Sequence, residues 1–248
     1  MFGGSIRLFR FAGIEVSLHF SWFLVAVYQL TSRPHGYHSP VFAIYEYLAL
    51  FLIVLLHEFG HALACRQVGG LADHILLWPF GGVAFVRPPP RPGAQLWSIV
   101  AGPLVNVLLL PVLFFARAAA VRAGLPFEAP DLFRLIAMVG LINLGILIFN
   151  LLPVYPLDGG QILRSLLWFG LGRIMSLRIA SLIGVAGAAL FILYALKEQS
   201  IWLIILSFFL MSQAVAGWRQ AQALRLAEEE AARPQSQPVP EPPRPPVL

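Results

Sequence analysis

Phe51-Leu52-Ile53-Val54-Leu55-Leu56-His57-Glu58-Phe59-Gly60-His61 is an apolar run that ends in three ionisable groups. It lies within a longer apolar stretch, 42–66, enough to cross about 30 Å of hydrocarbon as a helix. On that helix His57 and His61 stand about 40° and roughly 6 Å apart, so both imidazoles reach one metal ion at about 2.0–2.1 Å. Glu58, beside the pair, fits a general base acting on water. The same pattern arises by accident on solvated helix faces. Here lipid surrounds it, and an unpaired mid-bilayer charge costs roughly 2.5 kcal/mol or more, so a metal site is the favoured reading.

The rest of the chain has the same character. Of 248 residues, 58% are hydrophobic and 12% charged, with a mean hydropathy of +0.78, against roughly 25% charged in soluble domains. Apolar runs near 14–31, 42–66, 96–118, 132–153, 174–196 and 200–218 are each long enough to span. The expected fold class is an all-α polytopic membrane protein with about six transmembrane helices. Residues 157–171 read either as a separate, partly buried helix or as a continuation of the fourth span. Between the second and third spans, residues 75–86 are apolar but too short to cross, and Pro79 with Gly81-Gly82 divides them into two extended pieces around a turn. A small re-entrant β-hairpin fits. Because unpaired backbone cannot face lipid, it must lie against protein or line a wet cavity; an ordinary interfacial loop is the alternative.

The net charge of +5 and pI near 9.9 do not point to nucleic acid, because the basic residues are scattered between apolar runs instead of gathered in a patch. They read as a topology signal. With six spans and the N-terminus inside, one side carries Arg7, Arg10, Arg66, Arg87, Arg91, Arg164, Arg173, Arg178, Arg219, Arg225, Arg233 and Arg244, and the other Arg33, Arg117, Arg122, Arg134 and Lys197. Twelve against five puts both termini in the cytosol and the metal motif toward the cytosolic side of the cell membrane. No cleavage pattern follows Arg7 and Arg10, so the first run reads as an uncleaved span. Cys65, the only cysteine, permits no intrachain disulfide and reads as a packed small residue. From Glu228-Glu229-Glu230 onward the chain turns Pro-rich; 228–248 is expected to be a disordered tail behind a membrane domain over 1–227.

A catalytic zinc takes three protein ligands and keeps a position open. The best third candidate is Asp158, 97 positions beyond His61 (158 minus 61), in Asn150-Leu151-Leu152-Pro153-Val154-Tyr155-Pro156-Leu157-Asp158-Gly159-Gly160. The prolines interrupt helix and the glycines permit close backbone, which would project Asp158 into an interior cavity. Capping the helix that begins at Gly159 is an equally good use of Asp, and the residue types leave both roles open. His19, in the first run, reads as a buried hydrogen-bonded histidine or a gate near the site. Asn106, after Gly102-Pro103, reads as an interhelical hydrogen bond or an active-site contact.

His57-Glu58-Phe59-Gly60-His61, Ala101-Gly102-Pro103-Leu104-Val105-Asn106, and Asn150-Leu151-Leu152-Pro153 followed by Pro156-Leu157-Asp158-Gly159-Gly160 together resemble the site-2 protease family of intramembrane zinc metalloproteases, in the same order. Phe80-Gly81-Gly82-Val83 and Val16-Ser17-Leu18-His19 add to a resemblance that covers about 5–215. It implies one catalytic Zn2+ held by His57, His61 and Asp158, with Glu58 as general base and Asn150 holding the substrate backbone or the developing oxyanion. It also implies a catalytic core at about 42–172 and a hairpin, at Phe80, Gly81, Gly82 and Val83, that binds an unwound substrate by strand addition. The substrate class is a single-span membrane protein, such as a membrane-bound transcription factor or anti-sigma factor, cut in or near its transmembrane segment to release a cytosolic fragment, in regulated intramembrane proteolysis. The 248 residues suggest a short form, without the nucleotide-sensing or PDZ domains of some relatives. Two rivals from other classes are a membrane metal-ion transporter, which would not need Glu58 as a base, and an inactive protease-like binding protein, which would not need the intact ligand set.

Overall fold

Alternation and helical apolar stripes compete along the first 32 residues, and alternation wins in the first part. The computed structural model describes residues 4–32, 36–78 and 81–232. Strands β1 (Ser5–Phe11) and β2 (Ile14–His19) form an antiparallel hairpin. Ile14 and Val16 of β2 are fully buried while Glu15 between them is not, the period-2 signature of a strand with one covered face. The expected span over 14–31 is therefore corrected: its first part is strand, and helix α1 (Ser21–Ser32) has 12 residues, about 18 Å.

Helix α2 (Val41–Gln67) is followed by strands β3 (Leu71–Trp78) and β4 (Gly81–Arg87). These pair antiparallel, with Ile75 opposite Ala84 and Leu77 opposite Gly82, so the expected hairpin is present. It belongs to a larger sheet than the sequence suggested, four strands in the order β1-β2-β3-β4, with β2 and β3 parallel. Ile14, Val16, Ile75, Leu77 and Cys65 are buried in one cluster with Val54, Leu55 and Ala62 of α2. Arg66, near the end of α2, donates to the carbonyls of Ala12, Gly13 and Ala72, which locks the β1–β2 turn and the start of β3 to the helix.

Beyond the sheet come α3 (Pro92–Arg122), the short α4 (Leu125–Glu128), α5 (Pro130–Leu151), α6 (Asp158–Lys197) and α7 (Ile201–Ala231). Five of the described helices, α2, α3, α5, α6 and α7, are long and apolar enough to cross a membrane. Outward residues such as Phe114, Phe115, Leu190 and Leu193 are large, apolar and exposed, as lipid-facing surfaces require. α6 breaks at Gly172 (φ 76°, ψ 171°). Residues 158–171 thus form a helix set off from α5 by the 152–157 turn and from the remainder of α6 by that break. The rest of α6 packs on α7 through Ala180, Ser181, Gly184 and Ala188 against Ser207, Ala214, Gly217 and Ala221, all buried, a small-residue seam that lets two membrane helices approach closely. Helix α7 carries Glu228-Glu229-Glu230 through to Ala231, so the expected disordered tail does not begin at 228; residues 233–248 lie outside the described residues.

Ile75 has no exposed surface and joins the sheet to α2, so Ile75→Ala is expected to cost about 2–5 kcal/mol. Thermal unfolding of the detergent-solubilised protein checks this; an unchanged melting temperature would show that the sheet does not depend on that packing.

Candidate metal centre

The last turns of α2 bring His57 and His61 to one face, and the first residue of α6 meets them. His57 Nε2 lies 3.0 Å and His61 Nε2 3.4 Å from Asp158 Oδ2, and the two Nε2 atoms are 3.0 Å apart. Four-coordinate zinc with bonds of about 2.0–2.2 Å places neighbouring donors about 3.3–3.6 Å apart, so the triangle needs only tenths of an ångström of adjustment. The three residues are buried and form a group that could hold a metal ion. Asp158 does not cap its helix: α6 begins with it, Leu157 is the N-cap, and no side-chain capping bond forms. The choice between cap and cavity-facing acid thus resolves in favour of the cavity.

A chain of hydrogen bonds determines which nitrogen of each histidine faces the centre. Asn143 Nδ2 donates to the backbone carbonyl of Asn106 at 3.0 Å, which can only accept. Asn143 therefore presents Oδ1 to Asn106 Nδ2 at 2.8 Å, and Asn106 is left with Oδ1 toward His57 Nδ1 at 2.6 Å. His57 must carry its proton on Nδ1, leaving the Nε2 lone pair toward the centre. His61 reaches the same state directly, because Nδ1 lies 2.9 Å from the Ser98 carbonyl. Asp158 Oδ2, buried with no hydrogen-bond partner among the described residues, faces these two lone pairs. Three electron-pair donors turned on one another repel unless a cation lies between them, so the donor set fits a metal.

Close packing makes this convergence possible. A Cβ on Gly102 of α3 would lie 2.2 Å from His61 Nε2 and 2.8 Å from His57 Nε2, so only glycine leaves room for the ligands. Glu58 accepts from the Ala84 backbone N–H of β4 at 2.9 Å. His57, Glu58, His61 and Asp158 line a cavity of about 630 Å³ with Asn150, Gln161, Trp78, Phe209 and Gln213. Asn150 thus shares the cavity with the ligands. Gly81, Gly82 and Val83 open β4, whereas Phe80 lies outside the described residues. His19 is at the end of β2, paired with Ser21 and in edge contact with Trp78, and is not among the ligands.

Sequence reasoning missed Asn143 and the Ser98 carbonyl. Asn143 had a visible signal, since it and Asn150 are the two amides in the apolar 132–153 run, and such groups are rarely idle. The Ser98 carbonyl had none, because any backbone carbonyl could play that part.

A family model described as Peptidase family M50 matches residues 45–124 and 123–194. A zinc metalloprotease of Methanocaldococcus jannaschii is 34% identical over 209 residues, 83% of this chain and 58% of that protein. A putative zinc metalloprotease of Synechocystis is 30% identical over 260 residues, 95% of this chain and 66% of that protein. Stage IV sporulation protein FB of Bacillus subtilis is 32% identical over 153 residues, covering 60% and 46%. The chain therefore spans less than two thirds of the length of these relatives. Among solved structures, it is similar to a site-2 protease from Methanocaldococcus jannaschii, with a TM-score of 0.61 and 29% identity over 96% of this chain and 100% of that one.

Asn106→Leu should remove the acceptor that sets the His57 tautomer and weaken metal binding about 10–100-fold. Gly102→Ala should abolish it. Metal analysis after dialysis against graded chelator measures both, and wild-type retention in Gly102→Ala would refute the steric account.

Proposed function

Because the chain belongs to Peptidase family M50, we propose that it is a multi-pass membrane endopeptidase of the site-2 protease type, with one Zn2+ held by His57, His61 and Asp158. The observation that carries this reading is the buried triangle of two Nε2 lone pairs and one unpartnered carboxylate oxygen. Glu58 stands one residue from the first ligand and lines the same cavity. Zinc, when bound, supplies Lewis acidity toward water and a carbonyl oxygen.

Glu58 takes a proton from the attacking water and returns it to the leaving amide nitrogen. Its bond from Ala84 N–H leaves the second carboxylate oxygen to do this. Asn150 supports the carbonyl oxygen as charge develops there.

The substrate is a membrane-spanning segment. Its helix hides the peptide carbonyls, so it must unwind before hydrolysis, and its freed backbone groups then need partners. Strand β4 is an edge of the sheet. The Ala84 N–H points away from β3 and toward Glu58, so the open side of β4 faces the catalytic group. A strand added there lies alongside Glu58. Arg66 ties the β1–β2 turn to the end of α2, so Arg7 and Arg10 stay at that end although the first apolar run is not a full span; by the arginine asymmetry, the cavity then opens toward the cytosol, both termini are cytosolic and the released fragment is cytosolic. A single-span membrane protein, such as an anchored transcription factor or anti-sigma factor, is the partner this orientation serves, in regulated intramembrane proteolysis.

Glu58→Gln is expected to keep zinc at wild-type stoichiometry and to lower cleavage of a reconstituted single-span reporter by about 100-fold or more. Retained cleavage would remove Glu58 from the base role, and zinc loss would point to a structural one. Ala84→Pro deletes the N–H that holds Glu58 while sparing the β3 ladder, a change edge strands tolerate. It should lower cleavage about tenfold with zinc retained; unchanged cleavage would show that the β4 bond does not position Glu58.

A further inference from the structure

A second cavity of about 390 Å³ lies between α6 and α7, away from the metal centre, lined by Ile174, Met175, Arg178, Ala221, Gln222 and Arg225. Its depth can be read from the packing. A Cβ on Gly184 would lie 2.5 Å from the Tyr155 carbonyl, and one on Gly217 would lie 2.7 Å from the Tyr155 ring, so these glycines mark the level of the 152–157 turn. Arg178 is six residues before Gly184 and Arg225 eight after Gly217. At 1.5 Å per residue, both lie about 9–12 Å nearer the bundle end that carries the α7 C-terminus. Trp168 and Trp218 each lie under an arginine, Arg173 at 5.9 Å and Arg178 at 4.9 Å. Tryptophans gather where hydrocarbon meets headgroups.

The Arg178 guanidinium is half-buried and stacked on Trp218, and it has no acceptor among the described residues. Arg225 is engaged among them only through Nε, by Glu229 at 2.8 Å. Arg164, Arg173 and Arg219 add charge on these two helices, and Arg164 Nε is buried without a partner among the described residues. A guanidinium at the hydrocarbon boundary needs an anion, and the cavity walls are apolar on the α6 side, through Ile174 and Met175. One ligand combines these needs: a phosphate ester with acyl chains attached.

We propose that this cavity binds the headgroup phosphate of an anionic phospholipid, Arg178 and Arg225 taking the phosphate oxygens through paired N–H groups while the chains run along Ile174 and Met175. Phosphate binding there ties α6 to α7 across the end of their small-residue seam.

Native mass spectrometry of the detergent-purified full chain, titrated with phosphatidylglycerol or phosphatidylcholine, tests this. The wild type should retain phosphatidylglycerol preferentially. Arg178→Gln combined with Arg225→Gln should weaken retention roughly 25-fold, at roughly fivefold per arginine. Gln222→Glu, which adds an opposing charge on an exposed position, should weaken it as well, whereas Arg117→Gln with Arg122→Gln at the far end should not. Equal retention of both lipids, or unchanged retention in the Arg178/Arg225 pair and in Gln222→Glu, would overturn the proposal. Displacement of the lipid by an equal concentration of inorganic phosphate would assign the site to free phosphate and overturn it too.

Discussion

The hydrogen bond from Asn143 to the backbone carbonyl of Asn106 is the point from which the polar interior is ordered. A carbonyl cannot donate, so this bond removes the ambiguity of two amides and one imidazole in succession. Asn106, Asn143 and Ser98 have no exposed surface. In such a setting a flipped amide would leave two mismatched pairs with no water to repair them, at about 1–3 kcal/mol each. The tautomer of His57 is therefore a property of the fold, present before any metal arrives.

The same economy governs the backbone. Gly102 brings α3 against the α2 histidines, and the 152–157 turn brings the start of α6 to them. Gln161 donates to the Pro156 carbonyl at 2.9 Å, which holds that turn against the first helical residues. The sheet closes the other side through Ala84 and Glu58. The proposed metal ligands, the proposed base and the amides that orient them thus come from α2, α3, α5 and α6, while the cavity draws also on Trp22 of α1 and on Phe209 and Gln213 of α7, outside the 42–172 core expected from sequence.

How much of this was legible depended on how local each signal was. His57, Glu58 and His61 carry their geometry within one helical turn and needed no partner to be read. Asp158 needed the fold, because a residue opening a helix after Pro-Leu is equally suited to capping. Strand β2 was hidden by averaging: Ile14-Glu15-Val16-Ser17-Leu18-His19 alternates at period 2, yet a window long enough to detect a span registers only that it joins an apolar helix. The hairpin over 75–86 escaped that fate because Pro79 and Gly81-Gly82 interrupt it. The α6–α7 seam was unreadable, since a stripe of small residues acquires meaning only opposite a second one.

The three proposed ligands also differ in how they are held, and this bears on how the proposed centre would accommodate a peptide. His57 and His61 sit in the interior of a 27-residue helix, each fixed through its far nitrogen, so neither can move without breaking a buried bond. Asp158 is the first residue of α6, at the positive end of the helix dipole, with its carboxylate turned toward the two histidines. Its Oδ2 has no hydrogen-bond partner among the described residues. Two ligands are thus set by the rigid core and one by a helix end that follows a turn, which gives the centre one adjustable ligand. Asp158 is also the one of the three whose helix leads, past the break at Gly172, to the α7 seam, whereas both histidines are held through α3.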